Sequence, residues 1–315
     1  MIALSVIAPI IAVIALGYLA VRRAVFSDDN IATLNRFVFT LAAPALLFRN
    51  VALTEFPETL SVGLWLSYYG PLLAIMALAW FLAKGVFKAR APSEYVIIGF
   101  GGCFSNTVML GIPIILTAFG PEAGLPLFLI LAFHGLLVFT TAIISLEAAT
   151  KPNLRLADLP PKIAQAMREQ VVIMALAAGV VWNMTGLGLA APVDRFLELL
   201  GAATIPVALI AVGGRLATVK IGDNLASSLY IAAFKLVLMP LVVYITAQFV
   251  FALDPLFVAT LTLLAAMPTG VFASVFAAQY QTAEAEAASA IVTTTVLSAI
   301  TIAVWLSFFS PLLRV

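Results

Sequence analysis

Charge is what this sequence has least of. Of its 315 residues, 63% are hydrophobic and 10% charged, where a soluble domain carries about 25% charged residues. That leaves too little polar surface to cover a water-facing globule, which excludes a soluble enzyme. Sixteen Lys and Arg balance fifteen Asp and Glu, so no basic field exists for nucleic acid and no acidic one for cations. One cysteine, Cys103, excludes an intrachain disulfide. One histidine, His134, beside that lone cysteine excludes a multi-His or multi-Cys metal centre. No apolar run holds paired aspartates, and no Gly-x-Ser-x-Gly segment occurs. Neither an intramembrane aspartyl protease nor a nucleophile-elbow hydrolase is therefore encoded, and no catalytic residue, metal or cofactor is expected.

Long apolar runs are abundant. A membrane-spanning helix needs roughly 20 predominantly apolar residues. Reading between charges gives spans at Met1–Val21, Ile31–Leu53, Thr59–Ala83, Tyr95–Pro121 and Ala123–Leu146. Five more follow at Gln170–Val193, Phe196–Gly214, Asn224–Leu253, Pro255–Ala283 and Ala287–Leu313. The runs are continuous and rich in Leu, Ala and Val, unlike the alternating strands of a membrane barrel. The first run lacks a basic start and is too long for a signal peptide, so it reads as the first span. The predicted fold is an all-α integral membrane protein of ten spans in contact with the lipid bilayer. Its first half covers residues 1–147 and its second half 170–315, with a connecting loop at 148–169.

Orientation follows from Lys and Arg. Eleven lie in one set of alternate loops, among them Arg22, Lys84, Lys151, Lys162, Arg215 and Lys220; three lie on the other side. Both termini are predicted outside and the central loop in the cytoplasm, the protein being a multi-pass component of the cell (inner) membrane.

Sliding the chain on itself by 162 residues aligns three features. Gly17 meets Gly179, Leu41–Pro44 meets Ala203–Pro206, and Asn106-Thr107 meets Pro268-Thr269. Five spans per half is an odd number, so the second half enters the membrane from the opposite side. That is an inverted-topology repeat, a frequent architecture of secondary transporters. Pro9, Pro44, Pro71, Pro206 and Pro240 read as ordinary kinks. Spans 4 and 9 differ: Gly99–Pro113 packs four glycines with Asn106, Thr107 and Pro113, and Ala266–Ser274 holds Met267, Pro268, Thr269 and Gly270. Proline removes a backbone donor and glycine eases departure from helical geometry. Paired interruptions at corresponding positions point to a transport site.

The segment Ser105-Asn-Thr-Val-Met-Leu-Gly-Ile-Pro113, followed by Gly120 and by Met267-Pro-Thr-Gly270, resembles the auxin efflux carrier family. That family includes the plant PIN-type carriers and bacterial carriers for malonate and similar organic acids. The resemblance implies a bile-acid sodium symporter-like fold. Spans 1, 2, 6 and 7 would form a scaffold that can pair as a homodimer. Spans 3–5 and 8–10 would form a moving domain in which spans 4 and 9 cross. Members often open the sixth span with Asn-Pro where this chain has Gln170-Val171. That departure and the short central loop favour the prokaryotic branch.

On this reading the half-spans restart near Pro113 and near Thr269–Gly270, and each restarted helix aims unpaired N–H groups at the midplane. Such ends hold anions. Asn106, Thr107, Gly111, Pro113, Met267, Pro268, Thr269, Gly270 and Ser274 are the predicted substrate residues, the substrate being a small organic anion such as malonate. Lys235, about 11 residues into span 8, is either a charge used in coupling or a snorkelling anchor. His134 is either proton-sensitive or a packed, hydrogen-bonded ring, and the packed ring is favoured. The competing readings are an indole-acid exporter, a channel built on the same breaks and an intramembrane enzyme.

Overall fold

The computed structural model describes residues 2–55, 61–88, 90–151, 154–218 and 224–313. Lys220 and Arg314, which enter the charge asymmetry, lie outside the described residues. The helices in chain order are α1 (Ile2–Arg22), α2 (Asp28–Phe37), α3 (Ala43–Leu53), α4 (Val62–Val86), α5 (Pro92–Gly101) and α6 (Ile112–Phe119). Then come α7 (Gly124–Thr150), α8 (Leu159–Arg168), α9 (Val171–Met184), α10 (Ala191–Ala202) and α11 (Thr204–Thr218). The last are α12 (Leu225–Ala232), α13 (Met239–Ile245), α14 (Pro255–Ala266), α15 (Phe272–Gln279) and α16 (Glu284–Phe308). No strand occurs among the described residues; a lone bridge joins Ser105 to Thr269.

Six helical stretches are long and apolar enough to cross a membrane, and a seventh is reached if α8 and α9, bent by 87°, count as one. Three further apolar stretches are shorter: Ala8–Arg22, Thr107–Phe119 and Pro255–Ala266. The last two are pieces of the sequences that carry the glycine- and proline-rich segments. Within the central connection, expected as loop, α8 forms as a helix with Lys162 and Arg168 on it.

Prolines shape the helices in a consistent way. Wide π-turns at Val38–Ala42, Thr107–Gly111 and Ala233–Leu238 each end two residues before a proline, at Pro44, Pro113 and Pro240. A proline ring cannot donate to the preceding turn and collides with it; widening that turn absorbs the misfit without ending the helix. Pro9 and Pro71 stay inside α1 and α4.

Two pairings hold one group of helices together: α1 along α11, and α3 along α9. A Cβ on Gly17 would lie 2.1 Å from the carbonyl oxygen of Ile210, and one on Gly179 3.0 Å from that of Phe48. The two glycines that the 162-residue offset equates therefore do the same work: each lets its helix approach a neighbour's backbone. Arg49 adds an ion pair from α3 to Asp194 of α10 at 2.7 Å. The second group packs α4 on α5, α12 on α16 and α13 on α14. Its core is dense with Tyr68, Phe100, Phe119 and Leu127, all fully buried. Glu147, at the end of α7, accepts from Tyr280 at 3.0 Å and from Lys162 of α8.

Candidate functional site

The helix of span 4 stops at Gly101 and restarts at Thr107, with Asn106 as its cap. No proline sits in that break. Gly99, Gly101 and Gly102 weaken the helix, and the Asn106 side chain offers the restarting turn an acceptor, its Oδ1 receiving the N–H of Met109 at 3.2 Å. The restart thus falls six residues before Pro113, whose misfit is absorbed by the intervening π-turn. Span 9 breaks where Pro268 disfavours helical geometry at the residue before it. Met267 is extended (φ −61°, ψ 148°), and the chain turns helical again at Phe272.

The two breaks meet. Asn106 N–H donates to Pro268 O at 2.8 Å, and Gly270 N–H donates to Phe104 O at 3.0 Å. Asn106 and Pro268 are the residues that the 162-residue offset equates. A Cβ on Gly270 would lie 2.3 Å from Phe104 Cε1 and 3.0 Å from Ser105 O, so the crossing closes only around glycine. Backbone groups freed by both breaks satisfy each other, as buried polar groups must in a medium without water.

The predicted residues separate into three sets. Asn106, Thr107 and Gly270 line a small cavity of about 60 Å³, together with Phe104, Ser105, His134 and Gln170. Asn106 also borders a larger cavity of about 390 Å³, shared with Ser274, Asn35 and Arg215. The remaining residues support the crossing. Thr269 Oγ1 donates to Gly101 O at 2.8 Å, and its N–H reaches Thr294 Oγ1 at 3.1 Å. Met267 is fully buried in the core, Gly111 packs against Leu264, and Pro113 is buried in α6.

Lys235 sits in the π-turn Ala233–Leu238, fully buried, and its ammonium donates to Ala265 O in the last turn of α14. It does not snorkel. The break in span 9 leaves the final carbonyls of α14 without helical partners, and the ammonium meets the negative end of that half-helix. His134, on α7, is packed as expected but not hydrogen-bonded: neither ring nitrogen has a partner among the described residues. Its ring stacks on Phe104 with centroids 5.6 Å apart and meets Tyr68 edge-on at 5.8 Å. The Tyr68 and Ser105 hydroxyls are neighbours, yet neither completes a hydrogen bond.

Phe104, Gln170, Asn35 and Arg215 were not singled out as cavity residues by the sequence. Gln170 opens α9 at the position where the resemblance marks a departure, which was the available signal. It borders both the small cavity and a third one of about 430 Å³ beside Glu147, Lys151 and Lys162. Arg215 makes no ion pair among the described residues. The first two cavities run between the α1–α3 and α9–α11 helices and the rest of the molecule, and the third lies among α7, α8, Gln170 and α15.

An all-helical, multi-pass membrane protein with polar groups gathered at two touching helix breaks belongs to the class of transporters. The sequence pattern of the family described as "Membrane transport protein" matches residues 2–158 and 170–306. The chain is 31% identical over 299 residues to a Rhizobium meliloti (strain 1021) protein provisionally named a malonate transporter, covering 95% of this chain and 93% of that one. It is 24% identical over 306 residues to an uncharacterized transporter of Methanothermobacter thermautotrophicus, covering 94% and 95%. The chain belongs to the membrane transport protein family, that of the auxin efflux carriers, and is a transporter rather than an enzyme.

Proposed function

We propose that this protein is a secondary-active transporter that carries a small organic anion, malonate or a similar carboxylate, by elevator-type alternating access. The observation that carries the reading is the crossing itself. Two helix breaks related by the repeat offset bond to each other, and Asn106 and Thr107 at one restarting end line a cavity between two helix groups. The helix Thr107–Phe119 has its positive end there. Arg215, which makes no ion pair among the described residues, adds attraction for an anion at the larger cavity.

On this reading the chain crosses the inner membrane ten times, in inverted halves 1–147 and 170–315 joined by a cytoplasmic segment. Spans 4 and 9 cross as broken helices and α8 lies along the surface. Helices α1–α3 and α9–α11 stay fixed, and a homodimer forms through them. Phe196 and Leu199 on exposed α10 supply an apolar face for it. The remaining helices move with the crossing. The larger cavities reach Ile31, Arg215, Lys151 and Lys162, at helix ends assigned to the cytoplasm, which corresponds to an inward-facing state. Lys235 supplies as a tethered ammonium the positive charge at the end of α14 that a bound cation would otherwise provide.

Purified protein in liposomes loaded with unlabelled malonate should accumulate labelled malonate by counterflow, saturably and without added Na⁺. A non-saturating flux without counterflow would assign the crossing to a channel instead. Preference for indole acids over malonate would favour the exporter reading.

A further inference from the structure

Among the described residues, His134 is the one buried side chain with two polar atoms that both lack a hydrogen bond. Buried polar atoms in native proteins are nearly always partnered, so two vacant nitrogens on one ring call for an occupant. The ring lines the same small cavity as Asn106 and Thr107. A neutral imidazole offers one N–H donor and one lone-pair acceptor. A carboxylic acid group is its complement, with one O–H to give and one carbonyl oxygen to receive. A carboxylate could use the donor but would leave the lone pair facing a second acceptor.

The surroundings favour the uncharged partner. Titratable groups near the ring are Tyr68 and Tyr69 of α4 and Lys235, which itself has Cys103 nearby. Lys235 is engaged with Ala265 O. No Asp or Glu lines the cavity among the described residues, and its walls are largely Phe39, Phe104, Phe139 and Phe272. A dianion would bring two charges into a space with one half-helix end to receive them, at a high desolvation cost.

Resting on the anion-carrier reading above, we propose that His134 is a second substrate contact, which holds the protonated carboxyl of a small dicarboxylic acid while the restarting helix at Asn106–Thr107 holds its carboxylate. The substrate then crosses as the half-acid and takes one proton with it.

The test measures binding by the purified, full-length protein for three probes of similar size: malonate, its monoamide malonamate, and butyrate. The monoamide keeps one carboxylate and offers a donor and an acceptor at any pH. Above the second dissociation of malonic acid, the Kd for malonate should rise about tenfold per pH unit, following loss of the half-acid. That for malonamate should stay flat, which also excludes titration of the ring itself. Butyrate should bind at least about tenfold more weakly than malonamate, and His134→Phe should erase that difference without weakening butyrate. His134→Gln, which keeps a donor and an acceptor, should retain part of it. A malonate Kd independent of pH, or full discrimination in His134→Phe, would overturn this assignment while leaving the carrier reading intact. Failure of wild-type protein to bind any of the three acids would overturn both.

Discussion

At the scale of single residues, Asn106 has two separable roles. Its Oδ1 caps the restarting helix through Met109 N–H, while its Nδ2 donates to no group among the described residues and borders both cavities. Asn106→Ala should lose the cap, costing about 1 kcal/mol of stability, and should weaken anion binding by roughly 1–3 kcal/mol. Asn106→Asp keeps the acceptor but sets a carboxylate against the substrate. It should melt near the wild-type temperature yet bind no anion, and near-normal malonate binding by this variant would remove Asn106 from the site. Lys235 differs in kind, since its one hydrogen bond ends a half-helix. Lys235→Met should leave the carbonyl of Ala265 unsatisfied, at about 1–3 kcal/mol, and abolish counterflow while membrane insertion persists. Normal counterflow in that variant would reduce the lysine to a structural cap.

At the scale of helices, close approach is what the glycines permit. Gly17→Leu would drive a side chain into the backbone at Ile210, where even a Cβ would lie at 2.1 Å, whereas a Cβ on Gly70 meets nothing within 4 Å. Gly17→Leu should therefore destabilise the fold by about 1–3 kcal/mol or more, as overpacked cores do, and lower the melting temperature, and Gly70→Leu should not. Equal stability of the two variants would mean that α1 and α11 are not so closely apposed. The 162-residue offset pairs Gly17 with Gly179 but does not mark either as a contact, because the sequence shows an offset and not which helix faces which. The break at Pro268 was legible for a local reason: a proline acts on the residue before it. The other restart, at Thr107, was harder to read. Pro113 looked like the boundary, but a π-turn let it remain inside the helix. Thr269 looked like a ligand because a threonine in a break has a free hydroxyl in one dimension; in three, Gly101 takes it. Phe104 and Gln170 gained their places from elements distant in sequence, which no local pattern records.

At the scale of the whole molecule, the orientation rests on the distribution of Lys and Arg and can be probed directly. The native Cys103 is fully buried, giving a low labelling background. A cysteine at Gly120 should react with an impermeant thiol reagent in intact cells, and one at Thr150 only after permeabilisation. The reverse pattern would invert the protein and place its large cavities outside. The hydrogen bonds Asn106–Pro268 and Gly270–Phe104 also bear on energetics across the membrane. They fasten both broken helices into one piece, so on the proposed elevator reading a site built there travels without being dismantled. A binding pocket that keeps its shape has the same intrinsic affinity on either face. If the proposed co-transport of acid and proton holds, such a carrier has no built-in direction: reversing the two gradients would reverse the flow, and import or export becomes a property of the cell's metabolism.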